Sequence, residues 1–200
     1  MPQNMLISRA NPADLPSIAT LVATSLSTNP INRAVFKGAT PRAVQQQQKM
    51  FAMILPMPQN NLYTARINGE LVGVMNFAHS PACQLSTMQK ISVLPGLFRH
   101  LGATLPRLLH WTGNWGKHDP STPHCHLGPL TVAVNRQGQG IGSALLTWFC
   151  QYVDDRKEAA YLETDKPENV RLYEKFGFAV KEEDEVYGVK NWYMFRSAHL

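Results

Sequence analysis

Residues 137–143, QGQGIGS, place glycines at alternate positions, Gly138, Gly140 and Gly142. The apolar run LGPLTVAV precedes them and an apolar-periodic run follows, so the segment reads as a turn from a strand into a helix. Glycine loses more backbone freedom on folding than any other residue, so three in one turn ask for a reason. A helix start offers unpaired N–H groups and a partial positive charge. Glycines let an anion approach those groups with no side chain in the way. The main chain here could wrap a pyrophosphate, with Gln137, Gln139 and Ser143 beside the glycines as candidate contacts. A P-loop would need a lysine before Ser143, which is absent. The dinucleotide fingerprint GxGxxG is replaced by GxGxG, although Glu163, roughly 20 residues on, keeps a weak dinucleotide reading open.

Other reactive side chains lie close by in sequence. His124 and His126 share one face of the preceding strand, since side chains alternate. Either could serve as an accessory base or as a hydrogen-bonded structural histidine. Cys125 between them would point to the opposite face, so the three do not form a metal site, and no metal is expected.

These groups need elements to hold them. Residues 5–10 read as a first strand. NPADLPSIATLVATSL reads as a helix capped by Asn11 or Asp14, with Leu15, Ile18, Leu21, Val22 and Leu26 at helical spacing. TPRAVQQQQKMFAMIL is a second helix, capped by Thr40. Its buried stripe would be Val44, Met50, Met53, Ile54 and Met57, and the glutamine run Gln45 to Gln48 its polar face. Residues 61–78 form a hairpin about Asn68-Gly69. Residues 81–120, broken by Gly and Pro, read as one or two short helices and a loop, with Trp111 and Trp115 packing in a core. A buried strand at 124–134, a helix after the glycine turn, a strand at 160–165, a short helix stopped by Gly177 and two strands joined near Gly188 complete a mixed sheet with helices on its faces.

LTVAVNRQGQGIGSALL resembles the acyl-CoA-binding signature of the GNAT superfamily of N-acetyltransferases, carried here by Gln137, Gly140 and Gly142. A second signature of that family is matched by YLETDKPENVRLYEKFGF, with Asn169, Tyr173 and the Gly177-Phe178 end. The resemblance covers residues 124–196, and within the superfamily is greatest to the branch of puromycin N-acetyltransferase-like enzymes. It implies one domain over residues 1–200: an α/β (α+β) fold with a mixed, mostly antiparallel, twisted sheet of about seven strands. The sheet would be splayed at an acetyl-CoA cleft between its fourth and fifth strands, with helices on both faces. It also implies that main-chain groups of Val132 and Val134 pair with the pantetheine arm, that the glycine turn holds the pyrophosphate, and that Asn169 and Tyr173 reach the cofactor arm and its sulfur. Many relatives carry proline where Val134 stands. Attack on the thioester through a tetrahedral intermediate requires a deprotonated amine, main-chain donors near Val132 for the oxyanion and a proton for the departing thiolate. Glu163 would be the base and Tyr173 the acid.

Composition sets the outer bounds. The chain has 200 residues, 44% hydrophobic and 16% charged, with net charge +5, which suits one ordered domain and an anionic ligand. No dense basic block with interleaved aromatics suggests nucleic acid. No run approaches the length of a membrane span. Three widely spaced cysteines form no disulfide framework, and a cytoplasmic setting is expected. Two rivals stand beside the acetyltransferase: a non-catalytic acyl-CoA binder or sensor, and a nucleotide-binding domain. The acceptor would be a small-molecule amine with an apolar or aromatic part, because residues 28–58 and 83–120 hold few acids. A homodimer is compatible with the superfamily, although no residue argues for one.

Overall fold

A computed structural model describes residues 4–198. A seven-stranded sheet runs in the order β1-β2-β3-β4-β5-β7-β6. Its strands are β1 (Met5–Arg9), β2 (Asn61–Ile67), β3 (Glu70–His79), β4 (Cys125–Val132), β5 (Ala160–Thr164), β6 (Ala179–Val186) and β7 (Val189–Arg196). Every neighbouring pair is antiparallel except β4 and β5. That pair is parallel and short: only Cys125–Ala160 and His126–Tyr161 face each other before the strands part. The expected mixed, splayed sheet is therefore the observed one. The acidic run Glu182 to Glu185 lies on β6, the edge strand.

Both hairpins turn where the sequence places them. Asn68 and Gly69 take φ of 51° and 84°, the two positive values of a type I′ turn. Tyr187 and Gly188, at 55° and 74°, do the same between β6 and β7.

Helices α1 (Leu15–Leu26) and α6 (Ile141–Asp154) cover opposite faces of the sheet. Adjacent residues of β3 show this, since side chains alternate. Val74 packs with Ile18 and Val22 of α1. Gly73 faces α6 so closely that an added Cβ would lie 3.1 Å from Leu145 and 3.2 Å from Ile141. The main core is built there, from Phe77, Leu145, Phe149 and Leu162 among others.

Several local expectations are corrected. Asn11 caps a 3-10 turn, Pro12–Asp14, and not α1 itself; Asp14 pairs instead with Arg66 at 2.8 Å. Helix α2 (Pro30–Phe36) has too few turns for its periodicity to show in the sequence. In α3 (Pro41–Ile54), Thr40 caps as expected, but of the apolar stripe only Met50 is fully buried. Gln46 and Gln47 are buried instead. The Gln46 amide donates to the carbonyl of Leu101, at a helix end where carbonyls lack partners.

Residues 81–120 hold more helix than their glycines and prolines suggest: α4 (Thr87–Leu101) and α5 (Leu105–Trp115), 15 and 11 residues long. Ser86 and Gln89 form a capping box at the start of α4, and Pro95 is carried inside it. The last helix, α7 (Pro167–Glu174), is followed by Gly177 at φ 84°, the expected stop. No helix among the described residues is long and apolar enough to cross a membrane.

Candidate active site

The parting of β4 from β5 opens a cleft, and the glycine turn lies at its outer end. Gly138 and Gly140 take φ of 76° and 78°, a region that side chains disfavour. A Cβ at either would meet nothing within 4 Å, so the cradle is bare of protein atoms. Gly140 is the N-cap of α6 and supplies no side-chain cap, which leaves the first N–H groups of the helix facing outward. Gly142 differs: its added Cβ would make ordinary contacts with Val132 and Leu130, at 3.7 and 3.9 Å. A cavity of about 490 Å³ is lined by Gln137, Gly138, Gly140, Gly142 and Ser143. Lys166 and Arg136 bring positive charge to its wall, with Arg136 paired to Glu70, and Glu168 brings a carboxylate.

The strand wall of that cavity has free backbone donors. Ala133 N–H bonds to Val72 on β3, so strand alternation turns the N–H groups of Leu130 and Val132 the other way, into the opening. The Val132 carbonyl, on the same side, accepts from Ser25 Oγ at 2.9 Å.

A second cavity of about 320 Å³ lies inward, between β4, β5 and α5. Trp111, Trp115 and Phe51 give it an aromatic wall, and Glu163 and Asp165 give it carboxylates. Trp111 and Trp115 also pack edge to face at 4.9 Å, so they are core and cavity wall together. The Trp111 Nε1 is buried with no hydrogen-bond partner among the described residues. The two cavities share Leu26, Asn29, Leu130, Asn169 and Tyr173. Those residues stand where the two cavities adjoin. The Asn169 amide donates to Thr164 Oγ1 at 3.2 Å, tying α7 to the end of β5. Burial pushes the Tyr173 phenol up to about 12, so it keeps its proton at neutral pH.

Glu163 is placed by a histidine. Its Oε2 lies 2.8 Å from His126 Nε2, and its side chain is only 6% exposed. His124 and His126 do share a face, as alternation requires, and Cys125 points elsewhere. What the sequence did not reveal is that Cys83, from a loop far away in the chain, and Asp119, from the loop just before β4, close on the same two histidines. The reactive atoms of Cys83, Asp119, His124 and His126 lie within 4.8 Å of one another. The expectation of no metal site here considered only consecutive residues, and the grouping arises from tertiary contacts. Burial would lower the His124 ring, but the Asp119 carboxylate beside it raises it to about 9. Burial raises the Asp119 carboxyl, yet the two histidines hold it well below the carboxylate range.

Of the sequence-derived residues, Val132, Gln137, Gly138, Gly140, Gly142, Ser143, Asn169 and Tyr173 come together on one cavity, and Glu163 stands on the adjoining one. Two do not join them. Val134 falls in a 3-10 turn beyond the end of β4 and is 57% exposed. Gln139 is exposed, with its amide turned back to the Asn135 carbonyl.

Comparison with known proteins bears on this geometry. The family model described as Acetyltransferase (GNAT) family matches residues 31–178. Among solved structures, the chain resembles a histone acetyltransferase HPA2 and related acetyltransferase from Corynebacterium glutamicum, at TM-score 0.72 and 17% identity, over 99% of this chain and 98% of that one. It also resembles the ribosomal-protein-S18-alanine N-acetyltransferase from Escherichia coli, at TM-score 0.58 and 16% identity, over 98% and 95% of the two chains. A third similar structure is the PaiA N-acetyltransferase from Thermoplasma acidophilum in complex with coenzyme A, at TM-score 0.57 and 12% identity, over 96% and 98%.

Proposed function

The chain belongs to the acetyltransferase (GNAT) family, and on that premise we propose that it moves an acetyl group from acetyl-CoA to the nitrogen of a small amine. The observation that carries this reading is the junction of the cavities: Asn169 and Tyr173 stand where a cavity headed by the glycine turn meets one that contains Glu163. The residues fit the donor. A bare cradle at Gly138 and Gly140, with uncapped helix N–H groups and Lys166 on the cavity wall, suits a pyrophosphate. When bound, acetyl-CoA supplies the acetyl group as an activated thioester.

The chain's own groups then divide the work. An alkyl amine with pKa about 10 arrives protonated at neutral pH and must lose a proton first. Glu163, held by His126, takes it directly or through water. The N–H groups of Leu130 and Val132 point into the opening, where they donate to the acyl oxygen as it gains charge. Tyr173, its phenol kept protonated by burial, donates a hydrogen bond to the leaving sulfur as it gains charge.

The inner cavity shapes the acceptor. Trp111, Trp115 and Phe51 favour an amine with an aromatic or apolar body. This accords with the resemblance to the puromycin N-acetyltransferase-like branch. Thiol release from acetyl-CoA, measured against arylalkylamines, puromycin-like aminonucleosides, polyamines and peptide N-termini, tests it. Turnover is expected with the aromatic amines. Preference for polyamines would overturn the acceptor assignment. Calorimetric binding of coenzyme A with no thiol release from any amine would favour the non-catalytic binder.

A further inference from the structure

The cluster at Cys83, Asp119, His124 and His126 has a feature that the acetyl transfer does not use. The Nδ1 of His124 lies 2.8 Å from the Thr122 carbonyl, which can only accept, so that nitrogen carries the proton. Likewise, His126 Nε2–H donates a hydrogen bond to the Glu163 carboxylate. In the neutral rings, the other nitrogens, Nε2 of His124 and Nδ1 of His126, then carry lone pairs. Both face the same Asp119 oxygen, Oδ1, at 3.3 and 3.2 Å. That oxygen and His126 Nδ1 are buried, and neither makes a hydrogen bond among the described residues. With neutral rings, acceptors are therefore aimed at acceptors, and either a second proton on each ring or a metal ion has to lie between them.

The Cys83 sulfur completes the group. It is 3.9 Å from His124 Nε2 and 3.5 Å from Asp119 Oδ2. Four ligands at ordinary bond lengths around a tetrahedral zinc are separated by about 3.3–3.6 Å, as follows from bonds of about 2.0–2.3 Å. The two histidine nitrogens stand about this far from Asp119 Oδ1, while the sulfur, at 3.9 Å, is too far from His124 Nε2 and nearer the other carboxylate oxygen, so Cys83 has to draw in by a few tenths of an ångström on binding. The outward hydrogen bonds of both rings, one to a carboxylate and one to a main-chain carbonyl, are the supports that ligating histidines use to fix their tautomer. One thiolate and one carboxylate neutralise a divalent ion, which makes burial of the ion tolerable.

We propose that Cys83, Asp119, His124 and His126 bind a divalent transition ion of the zinc class. Sulfur and nitrogen donors select such an ion over calcium or magnesium. Binding expels the thiol proton to solvent and leaves no position open on the metal, so the site is structural. Its four ligands come from the β3–α4 loop, the α5–β4 loop and the edge of β4. Cys83 and His126 also line the inner cavity, so the ion would fasten two loops of the cavity wall and, through His126, orient Glu163.

Cobalt titration of the untagged full chain, after removal of metals with a chelator, tests this. One Co²⁺ per chain is expected, with visible bands of a tetrahedral ion and a near-ultraviolet thiolate-to-cobalt band. Cys83→Ser should abolish the near-ultraviolet band, and Cys150→Ser should leave it unchanged. Cys125→Ser should also leave it, although Cys125 lies near His79 and Glu158 in a second group of ligand-type residues. Asp119→Asn should weaken cobalt binding at least tenfold. Coenzyme A affinity of each variant, read by calorimetry, reports whether it has folded. A protein that binds coenzyme A but takes up no cobalt or zinc would overturn the proposal, leaving the cluster held by protons. So would a thiolate band that survives in folded Cys83→Ser.

Discussion

Glu163 and His126 stand 2.8 Å apart at the point where β4 and β5 stop pairing. His126 belongs to the last paired position and Glu163 lies two residues beyond its partner Tyr161. The bond therefore holds the carboxylate at the apex of the opening.

Glu163→Gln keeps an oxygen that accepts from His126 and removes the base. Turnover is expected to fall about 10²–10⁴-fold, the usual worth of a positioned acid or base. Coenzyme A affinity should change less than twofold, by about the precision of calorimetry, because Glu163 lines only the inner cavity. Steady-state thiol release checks it, and a rate near that of the parent would remove Glu163 from the chemistry.

Tyr173→Phe retains the ring that packs beside Phe178 at 6.0 Å. A fall in kcat of about tenfold or more is expected, with coenzyme A binding nearly unchanged. Equal loss in binding and rate would show a packing role instead.

Gly140→Asp places a negative charge in the bare cradle at the start of α6. Coenzyme A binding should weaken by about 100-fold or more, since the charge opposes the pyrophosphate and occupies the helix N–H groups. Far-ultraviolet circular dichroism should show the fold intact. Gly142→Ala is the contrast: its methyl meets only ordinary contacts, so the protein should fold with little loss of stability.

Asp165 makes stability depend on pH. Burial raises its carboxyl, Glu168 adds to the rise, and the Ile31 N–H (2.7 Å) and Lys166 oppose it, with a net upward shift. The folded chain then holds the proton more tightly than the unfolded one. Its contribution is fully present below the ordinary value of 3.8 and is lost as pH rises through the elevated one. Asp165→Asn still accepts from Ile31 but cannot ionise. Its Tm should lose that part of the pH dependence, so the two profiles separate as pH rises through the window. Parallel profiles would contradict the desolvation of Asp165.

The donor side of the site was legible because its chemistry is local. A strand, three glycines and a helix start are contiguous, and the proposed contacts are main-chain groups. Asn169 and Tyr173 were legible for the same reason, four residues apart on one helix face. Val134 was misplaced by two residues because strand ends are poorly marked by apolar pattern alone. The acceptor side was hardly legible. Its wall combines Phe51, Trp111 and Trp115 with residues of β4 and β5, and no short spacing encodes such a meeting. The approach of Cys83 to His124 is of the same kind. Helix α4 shows another limit: Pro95 signals a break, but the capping box at Ser86 and packing against α3 override it.

The acidic edge strand β6 has its own consequence. Glu182, Glu183, Asp184 and Glu185 line the outermost strand of the sheet. A second copy laid antiparallel along it would set carboxylates against carboxylates, and like charges across a strand pair repel. Three of these carboxylates already have partners, Glu182 and Asp184 at His118 and Glu183 at Lys190, so a newcomer strand would have to break those pairs or set its own carboxylates against them. Growth of the sheet from that side is thus opposed by charge.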